Sequence, residues 1–197
     1  MLWTLYLLLA HPSYLPTIQH EIDTLDARPQ LISNIDLSTH LPTLEAAISE
    51  TLRLQPPVPI EILENISSQP VVLSNSDGTV IVQAGEQVLW SPWVMARLPY
   101  FWGENAEEFK PERWLTMEKR PTAFEHPVFN AGPRSCLGQP LARIELIYAL
   151  AEVLRRYEFE PAWSGKRAVG MGLTASMVGG LPVRVKRRRT SKMYGNA

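Results

Sequence analysis

The chain of 197 residues holds a single cysteine, Cys136. No internal disulfide can form, so a secreted, disulfide-stapled scaffold is excluded. Long apolar runs are also missing. The longest candidate, LWTLYLLLA at residues 2–10, stops at His11-Pro12, well short of the roughly 20 residues that cross a bilayer. It carries no basic leader, which argues against a signal peptide, and it reads as the last turns of a buried helix. Net charge is nearly absent: 19 Lys and Arg face 20 Asp and Glu, a formal −1, so nothing in the overall balance points to nucleic acid. Repeats, low-complexity blocks and a clear linker are lacking as well.

The near-neutral total hides an asymmetry. All 20 acids lie at or before Glu160, with eleven cations among them, giving −9; eight cations and no acid follow, giving +8. The run Lys186-Arg187-Arg188-Arg189 reads either as a solvated tail or as a basic patch of nuclear-signal or nucleic-acid type. Hydrophobic residues make up 45% and charged residues 20%, enough to pack a core and too apolar for wholesale disorder.

Apolar spacing predicts helices at 2–10 and 15–25, a helix from Thr43 to Leu54 ending before Pro56-Pro57, and the longest helix from Gln139 to Tyr157. Pro29 to His40 and 118–135 read as loop, and Asn105 to Phe109 as one helical turn. The segments at 71–74 and 79–82 flank Asn75-Ser76-Asp77-Gly78, a hairpin signal. Strands are expected at 86–90 and at Leu181 to Val185. Trp90, Trp93, Tyr100, Phe101 and Trp102 fall in one stretch and read as packing of the β-region rather than as a nucleic-acid surface.

The informative segment is Phe129-Asn130-Ala131-Gly132-Pro133-Arg134-Ser135-Cys136-Leu137-Gly138, leading straight into the longest helix. Glycines before and after the cysteine permit positive φ and close backbone approach to a flat ligand. A cysteine just before a helix N-terminus meets free N–H groups and the positive end of the dipole, which favour the thiolate. Arg134 adds a fixed charge. A soft anionic sulfur on such a loop suits iron. Two other readings stand beside it: a buried small hydrophobe, and a cysteine nucleophile of a hydrolase, which needs a base that no histidine here signals.

FNAGPRSCLG resembles the haem-binding loop of the cytochromes P450, with every fixed position filled. The resemblance implies haem b (iron protoporphyrin IX), with Cys136 the axial ligand to iron, Phe129 beside the sulfur, Gly132 and Gly138 under the porphyrin, and Arg134 on a propionate. Glu50-Thr51-Leu52-Arg53 resembles the family's Glu-x-x-Arg, and Pro111-Glu112-Arg113 its Pro-Glu-Arg segment. Together they imply a structural network of Glu50, Arg53 and Arg113. The residues after Pro56-Pro57 resemble the entry to a substrate-contacting strand, and Leu173 to Leu181 the C-terminal hairpin. Val58, Ile60, Ile62, Met177 and Val178 suit an apolar substrate and equally a core.

The implied fold is mainly α with small antiparallel β-sheets. It is expected as the C-terminal portion of the P450 fold, lacking the N-terminal half: a single partial haem-binding domain over residues 1–197. That portion comprises the end of the central helix, the Glu-x-x-Arg helix, a β-region, the cysteine loop, the long C-terminal helix and the C-terminal hairpin. No catalytic acid–alcohol pair is found, and Ile60-Glu61-Ile62-Leu63-Glu64 offers no arginine for a propionate. Ala96 precedes Arg97 where relatives often carry histidine. The implied function is a monooxygenase inserting one oxygen atom of O2 into an apolar organic substrate, as a truncated fragment. The rivals are a remnant that binds no haem and the cysteine hydrolase. An NADPH-dependent reductase is the implied electron donor, with Arg134, Arg143 and the basic tail as contacts. No nucleic-acid partner is expected. A longer parent would be a protein of the endoplasmic reticulum membrane, with no span in this chain. The residues around Cys136 resemble fungal alkane and fatty-acid hydroxylases.

Overall fold

The helix bearing Glu50 and Arg53 begins at Pro42, where proline's fixed φ suits the first turn, and ends before Pro56-Pro57, which cannot continue it. In a computed structural model, which describes residues 1–26, 37–170 and 172–188, this helix (α4, Pro42–Leu54) is the hub. Every residue from Leu44 to Leu54 except Glu45 is buried, charged ones included. Around it pack α1 (Leu2–Ala10), α2 (Leu15–Asp26), the single turn α3 (Leu37–His40) and the long α8 (Gln139–Arg156). The main core joins Leu8, Ile18, Leu41, Leu44, Ile48, Leu150 and Leu154, all essentially inaccessible. α1 is apolar all round because it is walled in: Thr4, Leu5, Leu7, Leu8 and Leu9 are buried.

The β-region consists of two-stranded antiparallel ladders. β1 (Glu61–Glu64) pairs with β4 (Gln87–Trp90), and β2 (Val71–Asn75) with β3 (Gly78–Val82). In the second ladder Asn75 opposes Gly78 across the Ser76-Asp77 turn, and Asn75 Oδ1 accepts the N–H groups of Asp77 and Gly78. Three short helices follow: α5 (Pro92–Met95), α6 (Pro99–Trp102) and α7 (Glu112–Thr116). After α8 come β5 (Tyr157–Pro161), paired with β8 (Val183–Arg187), and the minimal hairpin β6 (Val169–Gly170) with β7 (Ser176–Met177).

The expected helices at 2–10, 15–25, 43–54 and 139–157 are present within a residue or two. Asn105 to Phe109 forms turns and not a helix, because Ala106 O and Glu108 O are taken by Arg53. The loop expected over Pro29 to His40 ends in α3, and residues 27–36 lie outside the described residues. The strand expected at Leu181 runs two residues later. Of the aromatic stretch, Trp102 is buried and packs with Ala46, Ala106 and Trp114 in a second core, whereas Tyr100 is exposed.

The expected architecture needs one correction. A helical N-terminal half, α1 to α4, and a β-sheet region are both present; α1, α2 and α4 share one core with α8, against which Phe159 of β5 and Val183 of β8 pack. The expectation of a C-terminal portion lacking the N-terminal helices is corrected by this. The nine apolar residues read as the last turns of a helix form α1, which closes at its C-terminal end with His11 N–H on Leu7 O at 2.9 Å. The membrane character is corrected too: among the described residues no helix is long and apolar enough to cross a bilayer.

α8 carries apolar side chains on two faces. Ile147, Leu150 and Leu154 are buried, while Leu141, Ile144 and Tyr148 are exposed. Leu150→Ala is expected to cost about 2–5 kcal/mol, and Leu141→Ala well under half of that. Urea midpoints followed by circular dichroism check this; equal costs for the two would contradict the packing.

Candidate functional site: an ion network and a cysteine loop

Glu and Arg three apart on a helix share a face, and on α4 that face is buried. Glu50 and Arg53 are both inaccessible and meet through two parallel bonds, Nε to Oε2 and Nη2 to Oε1, each 2.8 Å. A buried carboxylate needs every lone pair satisfied. Glu50 also accepts from Lys110 N (2.9 Å), Arg113 Nε (2.9 Å) and Trp114 Nε1 (2.8 Å). Arg53 spends its remaining donors on backbone carbonyls of Ala96, Ala106 and Glu108. Arg113 reaches Trp102 O and Asn105 O. Burial pushes the Glu50 carboxyl up, but Arg53, the Lys110 N–H and Arg113 outweigh it and hold the group below the usual carboxylate range.

The structure thus brings Glu50, Arg53 and Arg113 together, and adds two donors that sequence reasoning missed. Trp114 directly follows Arg113, but only the turn of α7 aims its indole N–H at Glu50. A backbone donor such as Lys110 leaves no signature in a sequence. Arg97, noted only for its neighbour, lies over the Trp93 ring at 3.8 Å and donates to Leu54 O and Trp93 O. It caps the end of α4.

The cysteine loop lies at the head of α8. Cys136 N–H donates to Phe129 O at 2.8 Å, closing the loop, and Gly132 takes φ +65°, where a side chain would be strained. Asn130 also has positive φ (60°) and turns its side-chain Oδ1 onto Ala131 N–H. Cys136 is free and exposed. A Cβ at Gly138 would sit 3.8 Å from Cys136 Sγ, so a larger residue there would crowd the sulfur. Leu137 is 98% exposed and Phe124 72%. Arg134 is exposed. No histidine hydrogen-bonds Cys136 among the described residues.

One side-chain chain ties this loop to the hub. Arg143 of α8 donates to Glu45 Oε1 (2.7 Å) and Ser49 Oγ (3.3 Å) on α4, and its guanidinium lies 5.8 Å from the Phe129 ring. Arg120 also reaches Glu45 at 3.5 Å. Arg143, expected as a free contact for a partner, is committed to Glu45. Beside it is a 290 Å³ cleft whose lining includes Phe129, Asn130, Gln139, His126 and Trp114, but not Cys136.

His126 had no place in the sequence reading. Its ring stands between Trp102 (5.5 Å) and Trp114 (5.4 Å), and Nε2 is buried with no partner among the described residues. Burial, then the charges of Arg143 and Arg53, lowers its pKa to about 4. A histidine held neutral in the fold binds its proton only on unfolding. Its contribution to stability is therefore full above 6.5 and falls away as pH drops from 6.5 toward about 4.

Two outcomes follow from this geometry. Glu50→Ala strands the buried Arg53 charge and is expected to cost about 3–5 kcal/mol, against about 1 kcal/mol for Glu45→Ala; an unchanged urea midpoint for Glu50→Ala would refute the network. His126→Phe is expected to flatten the decline in stability between pH 6.5 and 4, read as melting temperature against pH, with the wild-type slope persisting only if another group titrates there.

Comparison with known proteins covers almost all of this architecture. A family profile described as Cytochrome P450 matches residues 1–172. Cytochrome P450 CYP94D108 of Paris polyphylla is 32% identical over 194 residues, 94% of this chain and 38% of that protein. Alkane hydroxylase MAH1 of Arabidopsis thaliana is 33% identical over 161 residues, 80% of this chain and 30% of that protein. A Cytochrome P450 of Helianthus annuus is 34% identical over 155 residues, 78% of this chain and 97% of that protein. The chain thus spans well under half the length of the first two. These relatives are plant proteins, which corrects the fungal affinity drawn from the residues flanking Cys136. Those residues follow the shared geometry of the loop and carry little subfamily information. The match takes in α1 to α4, so the leading helices are family sequence as well, which corrects the expectation that helical N-terminal elements are lacking. The chain belongs to the cytochrome P450 family.

Proposed function

We propose that the chain acts as a haem-dependent monooxygenase of the P450 type, with haem b held through Cys136. The observation that carries the reading is the free, exposed thiol at the head of α8, on a loop whose backbone is closed by the Cys136–Phe129 bond. The surroundings suit a flat apolar group. Gly138 keeps the space beside the sulfur open, Gly132 turns the backbone away, and Leu137 and Phe124 offer apolar surface. When bound, haem supplies activation of O2 and transfer of one oxygen atom, for which a thiolate ligand is the favourable donor.

The chain's own residues act by holding and orienting. Cys136 stands just before the first turn of α8, at the positive end of the helix dipole. Phe129 fixes the loop through its carbonyl, and its ring is held from behind by Arg143. Arg134, exposed, would pair with a haem propionate in this reading. The Glu50–Arg53–Arg113 network is structural: it holds the segment from Ala96 to Trp114 against α4.

An apolar organic substrate is supported by two features. Ala175 N–H donates to Pro57 O at 2.7 Å, bringing the β6–β7 hairpin beside the segment of Val58 and Ile60. Ile60, Ile62, Leu173 and Val178 are exposed there. One relative is named an alkane hydroxylase, which agrees with that chemistry. An NADPH-dependent reductase as electron donor and a place at the endoplasmic reticulum complete the reading.

Reconstitution tests it. The wild-type chain mixed with haem, reduced and exposed to CO is expected to show the red-shifted Soret band of a thiolate-ligated ferrous carbonyl. Cys136→Ala and Cys136→Ser are expected to lose that band while keeping the far-ultraviolet circular dichroism of the wild type. Failure of the folded wild type to take up haem would overturn the assignment.

A further inference from the structure

Of the basic run, Lys186 to Arg188 are ordered against the fold, and Arg189 lies outside the described residues. Lys186 and Arg187 are strand residues of β8, and Arg188 N–H donates to Arg156 O at 2.8 Å. In the ladder Tyr157 stands opposite Arg187. The end of α8 and the end of β8 therefore meet around a 410 Å³ cavity lined by Arg155, Arg156, Tyr157, Arg187 and Arg188. Its lining holds four guanidinium groups and no carboxylate.

Two carboxylates stand behind this lining. Glu152 receives both Arg155 and Arg156, and Asp23 of α2 takes Arg188 through two bonds of 2.7 and 2.6 Å. Among the described residues Glu152 serves Arg155 and Arg156, Asp23 serves Arg188, and Arg187 stands exposed beside them. The helix dipole accounts for Arg155 and Arg156, since cations suit a helix C-terminus. It does not account for a second arginine pair delivered to the same place by a different element. Arg187 is exposed and Arg156 is 56% exposed at its side chain, so both can reach a ligand. The ion pairs with Glu152 and Asp23 hold the walls in place.

We propose that this cavity is a binding site for a phosphate-bearing ligand, with Arg156 and Arg187 as its principal contacts. The planar, permanently charged guanidinium matches phosphate oxygens two at a time. The volume falls within the range of small-ligand pockets, with room for more than one phosphate group. A free polyphosphate and a lipid phosphomonoester share this chemistry.

The test uses the full chain and two probes. Inorganic pyrophosphate is titrated calorimetrically at low salt, and vesicles of phosphatidylcholine with and without phosphatidic acid are co-sedimented. One-to-one pyrophosphate binding is expected, weakened about tenfold or more in R156Q/R187Q, the effect of losing charged hydrogen bonds. K119Q/K166Q removes the same charge elsewhere and is expected to stay within about twofold, a mere screening effect. R156K/R187K keeps the charge but loses the fork, and is expected to fall between. It serves as the deciding variant if the glutamine pair lowers the melting temperature. Binding to phosphatidic acid vesicles that pyrophosphate competes away identifies a lipid headgroup; pyrophosphate binding without vesicle binding identifies a free ligand. No saturable binding of either probe, or equal loss in R156Q/R187Q and K119Q/K166Q, overturns the proposal.

Discussion

One buried carboxylate organises the molecule. Glu50 is fully withdrawn from water on a helix that is itself the hub of the core, and such a charge survives only if every acceptor site is filled. The donors come from Arg53 on the same helix and from Lys110, Arg113 and Trp114, some 60 residues on. Arg53 in turn fills the carbonyls of Ala96, Ala106 and Glu108. From Ala96 to Trp114 the chain makes turns and short helices with its own backbone bonds, and the ion network fastens them to α4.

The cysteine loop inherits that order at one remove. Its closure is local, from Cys136 to Phe129, but its position depends on α8, which packs on α4 through Leu150 and Leu154 and is linked to it by Arg143, Glu45 and Ser49. The Trp102–Trp114–His126 group fills the gap between the network and the loop. His126 is held neutral there by burial first, and then by the charges of Arg143 and Arg53. The exposed sulfur thus sits on a frame that is held together by buried charge.

The charge asymmetry of the chain is resolved in space. Arg188 closes on Asp23, and Lys186 on Glu160, so the basic end folds back against acids from earlier in the sequence. Opposite charges far apart along the chain help seat β8 beside α2 and β5. Among the described residues, Arg155, Arg156, Arg187 and Arg188 gather around the end of α8.

The amino-acid order determined the long helices, the hairpin at Asn75 to Gly78 and the cysteine loop, because their signals are local. Helical spacing, proline stops and glycine turns act within a few residues, and a ligand loop must keep its residue types in a fixed order. Tertiary structure alone decided the rest. The five donors of Glu50, the backbone carbonyls on Arg53, the commitment of Arg143 to Glu45 and the unpartnered ring of His126 depend on which surfaces come together. Short helices α5 to α7 were missed for the same reason: too few residues to show a period, and held by contacts from elsewhere. The apparent turn at Asn105 misled because its carbonyls serve an arginine on another helix. Burial sets the value of each charge, and burial is a property of the packed molecule that no local pattern specifies.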